Sequence, residues 1–142
     1  MKTLLLEALL FGILGLLVED IFTGIKSFIR GDRRGTTTSY LYMPVVWAAG
    51  GLLFRFLSPS VAGAPLVGQW LLWVMLIYVV EGLSGAILKK VLGVVPWSYS
   101  SQKGAAFGGT INLWYAPFWI GLAVGVRPVL AFVHELAVRI LA

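Results

Sequence analysis

Residues 66–88 read LVGQWLLWVMLIYVVEGLSGAIL, twenty-three positions with a single charge, Glu81. As a helix this stretch is about 34 Å long at about 1.5 Å per residue, enough to cross a hydrocarbon core of about 30 Å. A strand is excluded, because an open strand in lipid leaves its backbone polar groups unpaired. Working outward, three more apolar stretches can cross a bilayer: about Thr3 to Ile29, about Tyr40 to Leu57, and from near Ile111 to at least Val126. The remainder of the composition agrees. Of 142 residues, 59% are hydrophobic and 12% charged, with mean hydropathy +0.92. Soluble domains average about 45–50% apolar and about 25% charged residues. There are too few charges here to cover a water-facing surface of this size, so a soluble single domain is excluded.

The predicted fold is all-α and polytopic: one membrane domain over residues 1–142 with four transmembrane helices. Gly31-Asp32-Arg33-Arg34-Gly35 and the Thr36–Ser39 run form the first connection. Ser58-Pro59-Ser60 through Pro65 form the second, and the Gly-, Ser- and Trp-rich stretch from Gly93 to Gly109 forms the third. The first apolar run contains Glu7 and no small-residue cleavage site follows it, so it is expected to stay as a span. After Pro128, residues 128–142 predict a C-terminal amphipathic helix or a kinked extension of the fourth span. Arg127, His134, Glu135 and Arg139 cluster on one side of it, with Glu135 and Arg139 an i,i+4 pair.

Basic residues flank the connections unevenly. Lys26, Arg30, Arg33, Arg34, Lys89, Lys90 and Lys103 lie on one side; Lys2, Arg55, Arg127 and Arg139 lie on the other. Positive charge favours the cytoplasm, which places both termini outside a cell membrane, expected to be a bacterial inner membrane. The formal charge of +5 is read as basic loops against anionic lipid, with no nucleic-acid partner.

The halves repeat. Val18-Glu19 precedes Gly31 as Val80-Glu81 precedes Gly93, each glutamate twelve residues before its glycine. Tyr42-Met43-Pro44 opens the second span as Tyr115-Ala116-Pro117 opens the fourth. This predicts two hairpins, about 3–57 and about 66–126, related as parallel repeats by an axis along the membrane normal.

An acid within a span costs about 2.5–3.5 kcal/mol near its centre and so faces protein or a water cavity. Glu19 shares a helical face with Gly12, Gly15, Thr23 and Lys26; Glu81 shares one with Tyr78, Ser84 and Gly85. Tyr42, Tyr115, Trp97, Tyr99 and Asn112 belong to the same membrane end. The candidate ligand-binding set is therefore Glu19, Glu81, Tyr42, Trp97, Tyr99, Asn112 and Tyr115, around a pocket in the cytoplasmic half. Aromatic belts at headgroup depth and structural hydrogen bonding of the two glutamates are the competing explanations.

Several chemistries are excluded. There is no cysteine and only one histidine, so thiolate catalysis, disulfides and clustered His/Cys metal sites are absent. No cofactor is expected. His134-Glu135 lacks the second histidine of a zinc-protease helix. Neither a nucleotide-binding P-loop nor a G-x-S-x-G nucleophile elbow occurs. Gly121 and Gly125 form a GxxxG, which serves helix packing.

The assembled motifs resemble the CmpB-type family of ABC-transporter permeases, which includes the animal transmembrane-protein-229 group. They are Glu19, Tyr42-Met43-Pro44 with Gly50-Gly51, Glu81-Gly82-Leu83-Ser84-Gly85, Pro96-Trp97-Ser98-Tyr99-Ser100 and Asn112-Leu113-Trp114-Tyr115-Ala116-Pro117-Phe118-Trp119. Many relatives carry Asp where this chain has Ser98. The resemblance spans about residues 10–125 and implies transport, with any ATPase on a separate partner subunit. The expected function is a small permease-like or lipid/cation-binding membrane protein, with membrane lipids and a second copy as partners. The alternatives are an intramembrane enzyme acting on a lipid-like substrate, or a structural accessory subunit. Catalysis is the less favoured of these, because no nucleophile–base pair is visible.

Overall fold

A computed structural model describes residues 1–94 and 97–142; Pro96 of the Pro-Trp-Ser-Tyr-Ser motif lies outside the described residues. The described residues are mostly helical, 76%, with four α-helices among them. They are α1 (Lys2–Ile29), α2 (Met43–Val61), α3 (Leu66–Leu92) and α4 (Ala116–Leu141). Between α3 and α4, β1 (Ala105–Ala106) pairs antiparallel with β2 (Ile111–Asn112), with short 3-10 turns at Phe107–Gly109 and Leu113–Tyr115. Among the described residues, three helical stretches, Met43–Val61, Leu66–Leu92 and Leu113–Leu141, are long and apolar enough to cross a membrane.

Two boundaries differ from the sequence reading. It starts the fourth span near Ile111, but Ile111 and Asn112 pair as β2 and α4 begins only at Ala116. It also ends α2 too early. Ser58, Pro59 and Ser60 belong to α2, not to the second connection. Proline lacks an N–H, but at the last turn of a helix that removes one bond only, and Ala62 N–H still donates to Ser58 O at 3.0 Å. The buried Gln69 side chain then donates to Ala62 O (3.2 Å) and Ala64 O (2.7 Å), covering carbonyls left over where α2 ends. Of the two forms expected for residues 128–142, the structure has the extension: α4 runs through Pro128 to Leu141. At the other ends the reading is simple. Gly93, at φ 74°, closes α3 in the left-handed conformation, with Lys89 and Lys90 in the last turn, where they complement the helix dipole.

The chain divides into two compact units, Met1–Leu53 with Ala131–Ala142, and Phe54–Leu130. In the first, α1 buries Glu7, Phe11, Gly12 and Gly15. A Cβ at Gly15 would overlap the Trp47 ring, and one at Gly12 would lie 2.9 Å from Pro44 O, so the missing side chains are what admit these neighbours. In the second, Trp73, Val74, Ala123 and Val126 form a core flanked by Phe54, Trp70 and Trp119, with the Phe54 and Trp73 rings 5.3 Å apart.

The outward faces are apolar. On α1 the row Leu5, Leu9, Ile13, Leu17, Ile21, Ile25 and Ile29 is exposed along its length. On α3 the row is Val67, Leu71, Met75, Val79, Leu83, Ile87 and Val91. Keeping such side chains in water costs about 1.5–3 kcal/mol each relative to burial, so both faces are built for an apolar surrounding. The rows coincide when shifted by the 62 positions that separate Glu19 from Glu81. The same shift carries the buried Glu7, Phe11, Gly12 and Gly15 onto the buried Gln69, Trp73, Val74 and Ile77.

Candidate functional site

In the second unit the chain turns back at Gly93 and runs down the face of α3 that carries Glu81. Thr110 packs where Gly85 has no side chain, a Cβ there lying 3.1 Å from it. Ile111 sits beside Gly82 in the same way, 3.5 Å from the position of its missing Cβ. One turn lower, the Tyr78 hydroxyl donates to Asn112 O (3.4 Å) and Leu113 O (3.3 Å). The Glu-Gly-Leu-Ser-Gly segment thus supplies an acid on a face smooth enough for the Thr110 and Ile111 side chains of the returning chain to pack against.

This return is braced. Trp97 Nε1 donates to Thr110 O at 3.0 Å, and Tyr99 N–H to Gly109 O at 2.9 Å. The brace puts the Tyr99 hydroxyl over Glu81, where it donates to Oε1 at 2.9 Å. Glu81 Oε2 is buried and has no hydrogen-bond partner among the described residues. Ser84, although on the same face, donates back to Val80 O at 2.6 Å. Tyr115 meets the Tyr99 ring edge-on, centroids 5.3 Å apart, and its hydroxyl donates to Gln102 Oε1 at 3.0 Å. Asn112, 2% exposed, donates to the same oxygen at 3.4 Å and accepts from Trp114 N–H at 2.9 Å. Glu81, Tyr99, Tyr115 and Asn112 therefore form a chain of contacts: Glu81 to Tyr99 by a hydrogen bond, Tyr99 to Tyr115 ring to ring, and Tyr115 to Asn112 through the shared Gln102 oxygen, while Trp97 braces the returning loop.

The first unit has its own acid. Glu19 Oε2 accepts from Ser39 Oγ at 3.1 Å and from Trp47 Nε1 at 3.4 Å. Here too the returning chain follows the helix: Thr38 N–H donates to Thr23 Oγ1 at 3.2 Å, and Gly35 O approaches Gly24. Tyr42 stacks on Tyr40, centroids 5.7 Å apart and nearly parallel. Each glutamate is thus held by a donor from the segment that follows its own helix, Ser39 for Glu19 and Tyr99 for Glu81.

Two features escaped the sequence reading. Gln102 is an isolated amide in a Ser/Gly-rich loop, with no spacing to mark it. Glu7 is fully buried, and His134 Nδ1 lies 2.7 Å from its Oε1. The two are 127 positions apart, and the sequence ties His134 only to neighbours on its own helix. The expected Glu135–Arg139 pair is present.

Outside the helices, Asp32 organises the first connection. Its Oδ2 accepts from Ser27 Oγ (3.0 Å) and Thr36 N–H (3.2 Å), and its Oδ1 from Arg34 N–H (3.0 Å). Hydrogen bonds from Thr36, then Arg34 and Ser27, hold its carboxyl down at about 2, against an ordinary 3.8. A depressed acid contributes its ordering fully above the unfolded value and loses it as pH falls through the folded one. The turn is thus expected to stay ordered at pH 4 and to loosen near pH 2, read as faster amide hydrogen exchange at Arg34 and Thr36 after correction for intrinsic rates. Unchanged protection at pH 2 would contradict this role for Asp32.

The chain matches no family model, no curated protein and no solved structure.

Proposed function

We propose that this is an integral membrane protein of permease-like, cation- or lipid-binding type, in which Glu81 is the acid that faces the ligand. The observation that carries the reading is the state of that carboxylate: one oxygen is held by Tyr99, and the other is buried without a partner among the described residues. A buried acceptor left unpaired costs about 1–3 kcal/mol. A cation, or the ammonium group of a lipid, satisfies it. The ring of Tyr115 beside Tyr99 supplies a second surface suited to positive charge.

In this reading α1 is a fourth span, its exposed row facing lipid and its five charged residues Lys2, Glu7, Glu19, Asp20 and Lys26 on the remaining faces and ends. The chain is then two duplicated hairpins with both termini outside a bacterial inner membrane. The 62-residue coincidence of exposed rows, buried positions and glutamates supports the duplication. Glu19 is the repeat counterpart of Glu81. A second copy of the chain is the expected partner, and an ABC role adds a separate ATPase subunit.

The test is carbodiimide modification of purified protein in nanodiscs, mapped by mass spectrometry. A water-poor carboxyl that takes up protons or cations is expected to label at Glu81, with sodium, potassium or choline protecting it. The Glu81→Gln variant is expected to assemble normally and not label at that position. Absence of labelling at Glu81, or labelling indifferent to all three cations, counts against the reading.

A further inference from the structure

The turn at residues 30–35 closes α1 with an unusual concentration of charge. Arg30, Arg33 and Arg34 are all exposed. Among the described residues, no hydrogen bond or ion pair engages their guanidinium groups. The one acid in the turn does not neutralise them from outside, because its oxygens are used inward on Ser27, Arg34 N–H and Thr36 N–H. The backbone is pinned as well: Gly31 N–H donates to Phe28 O (3.0 Å), Asp32 N–H to Ser27 O (3.2 Å) and Gly35 N–H to Asp32 O (2.9 Å). Gly31 (φ 98°) and Gly35 (φ 62°) supply the left-handed corners that let the chain fold this tightly. Directly beneath, the exposed apolar row ends in Ile21, Ile25 and Ile29.

We propose that this turn is a binding site for the headgroup phosphodiester of an anionic phospholipid, whose tails lie along the Ile21–Ile25–Ile29 row. Guanidinium groups suit a phosphate because their fork matches its oxygens in pairs. An apolar row running straight into a cationic turn matches an amphiphile, tails on the row and headgroup on the arginines. Asp32 is the positioning residue: it touches no lipid and sets the shape in which the arginines are presented. The inference rests on the reading of α1 as a membrane helix. That reading is tested separately by labelling Arg33→Cys with an impermeant thiol reagent, where labelling only after the cytoplasmic side is opened supports it.

The site is tested on the full chain by titrating phosphatidylglycerol against phosphatidylcholine in detergent micelles and counting bound lipids by native mass spectrometry. Phosphatidylglycerol is expected to bind preferentially. The double variant Arg33→Gln/Arg34→Gln is expected to lose about 25-fold in affinity, about five-fold per arginine, with unchanged thermal stability. Asp32→Ala separates an ordered site from a diffuse one. It makes the turn more positive, so simple attraction predicts tighter binding, whereas the ordered site predicts several-fold weaker binding. Ser27→Ala, which alters no charge, is expected to weaken binding in the same direction. Equal or tighter binding by Asp32→Ala overturns the proposal, as does an Arg33→Gln/Arg34→Gln protein that binds like the parent.

Discussion

His134→Ala is expected to destabilise the protein by about 1.5–3 kcal/mol, the range for a hydrogen bond to a charged group. The reason lies in an asymmetry of exposure. The His134 side chain is 51% exposed and that of Glu7 0%, so losing the imidazole withdraws its support from a carboxylate that has no access to water. Glu7→Gln keeps an acceptor of the same shape at the same place and is expected to cost less. The comparison is made by detergent-induced unfolding at fixed lipid content. If His134→Ala and Glu7→Gln were equally mild, the pair would be a surface contact rather than part of the first unit's interior.

The second large effect is at Glu81. Glu81→Leu removes the acceptor of the Tyr99 hydroxyl and strands a donor in a half-buried place, at about 1–3 kcal/mol. The damage is expected to spread to the loop, because Tyr99 is braced on Gly109 and packs on Tyr115. Glu81→Gln retains an oxygen for Tyr99 and is expected to unfold like the parent while losing ligand binding. Thermal unfolding and near-ultraviolet circular dichroism, which reports the packed aromatic rings, separate the two. A Glu81→Leu protein with native stability and an unaltered aromatic spectrum would show that the Tyr99 contact does not matter to the fold.

Much of the helical layout was legible because its signals are local. Pro65 before an apolar run marks the start of α3, and a glycine twelve residues after each glutamate marks where α1 and α3 stop. The proline signal misled at Ser58-Pro59-Ser60, since proline in a last turn ends a helix only after it, and α2 continues to Val61. Pro128 sits within α4, as the extended-span alternative for residues 128–142 expects. The small residues beside the glutamates signalled close approach but not by what. The structure brings side chains there: Trp47 at Gly15, Thr110 at Gly85.

Of the candidate site, the part around Glu81 followed from depth. An acid well inside a long span must be met by something polar, and the nearest polar stretch in sequence contains Tyr99. Tyr42 was grouped with the acids from its place in the repeat, yet its ring stacks on Tyr40. The Glu7–His134 pair was out of reach, because no periodicity links two residues on the first and last helices.

The most direct test of a ligand-facing Glu81 is the carbon-13 signal of its own side-chain carboxyl, assigned by comparison with Glu81→Gln and followed in nanodiscs. A saturable shift on adding sodium, potassium or choline, absent from the Glu135 signal, is the predicted result. A Glu81 carboxyl that stays unmoved through all three titrations would contradict the account.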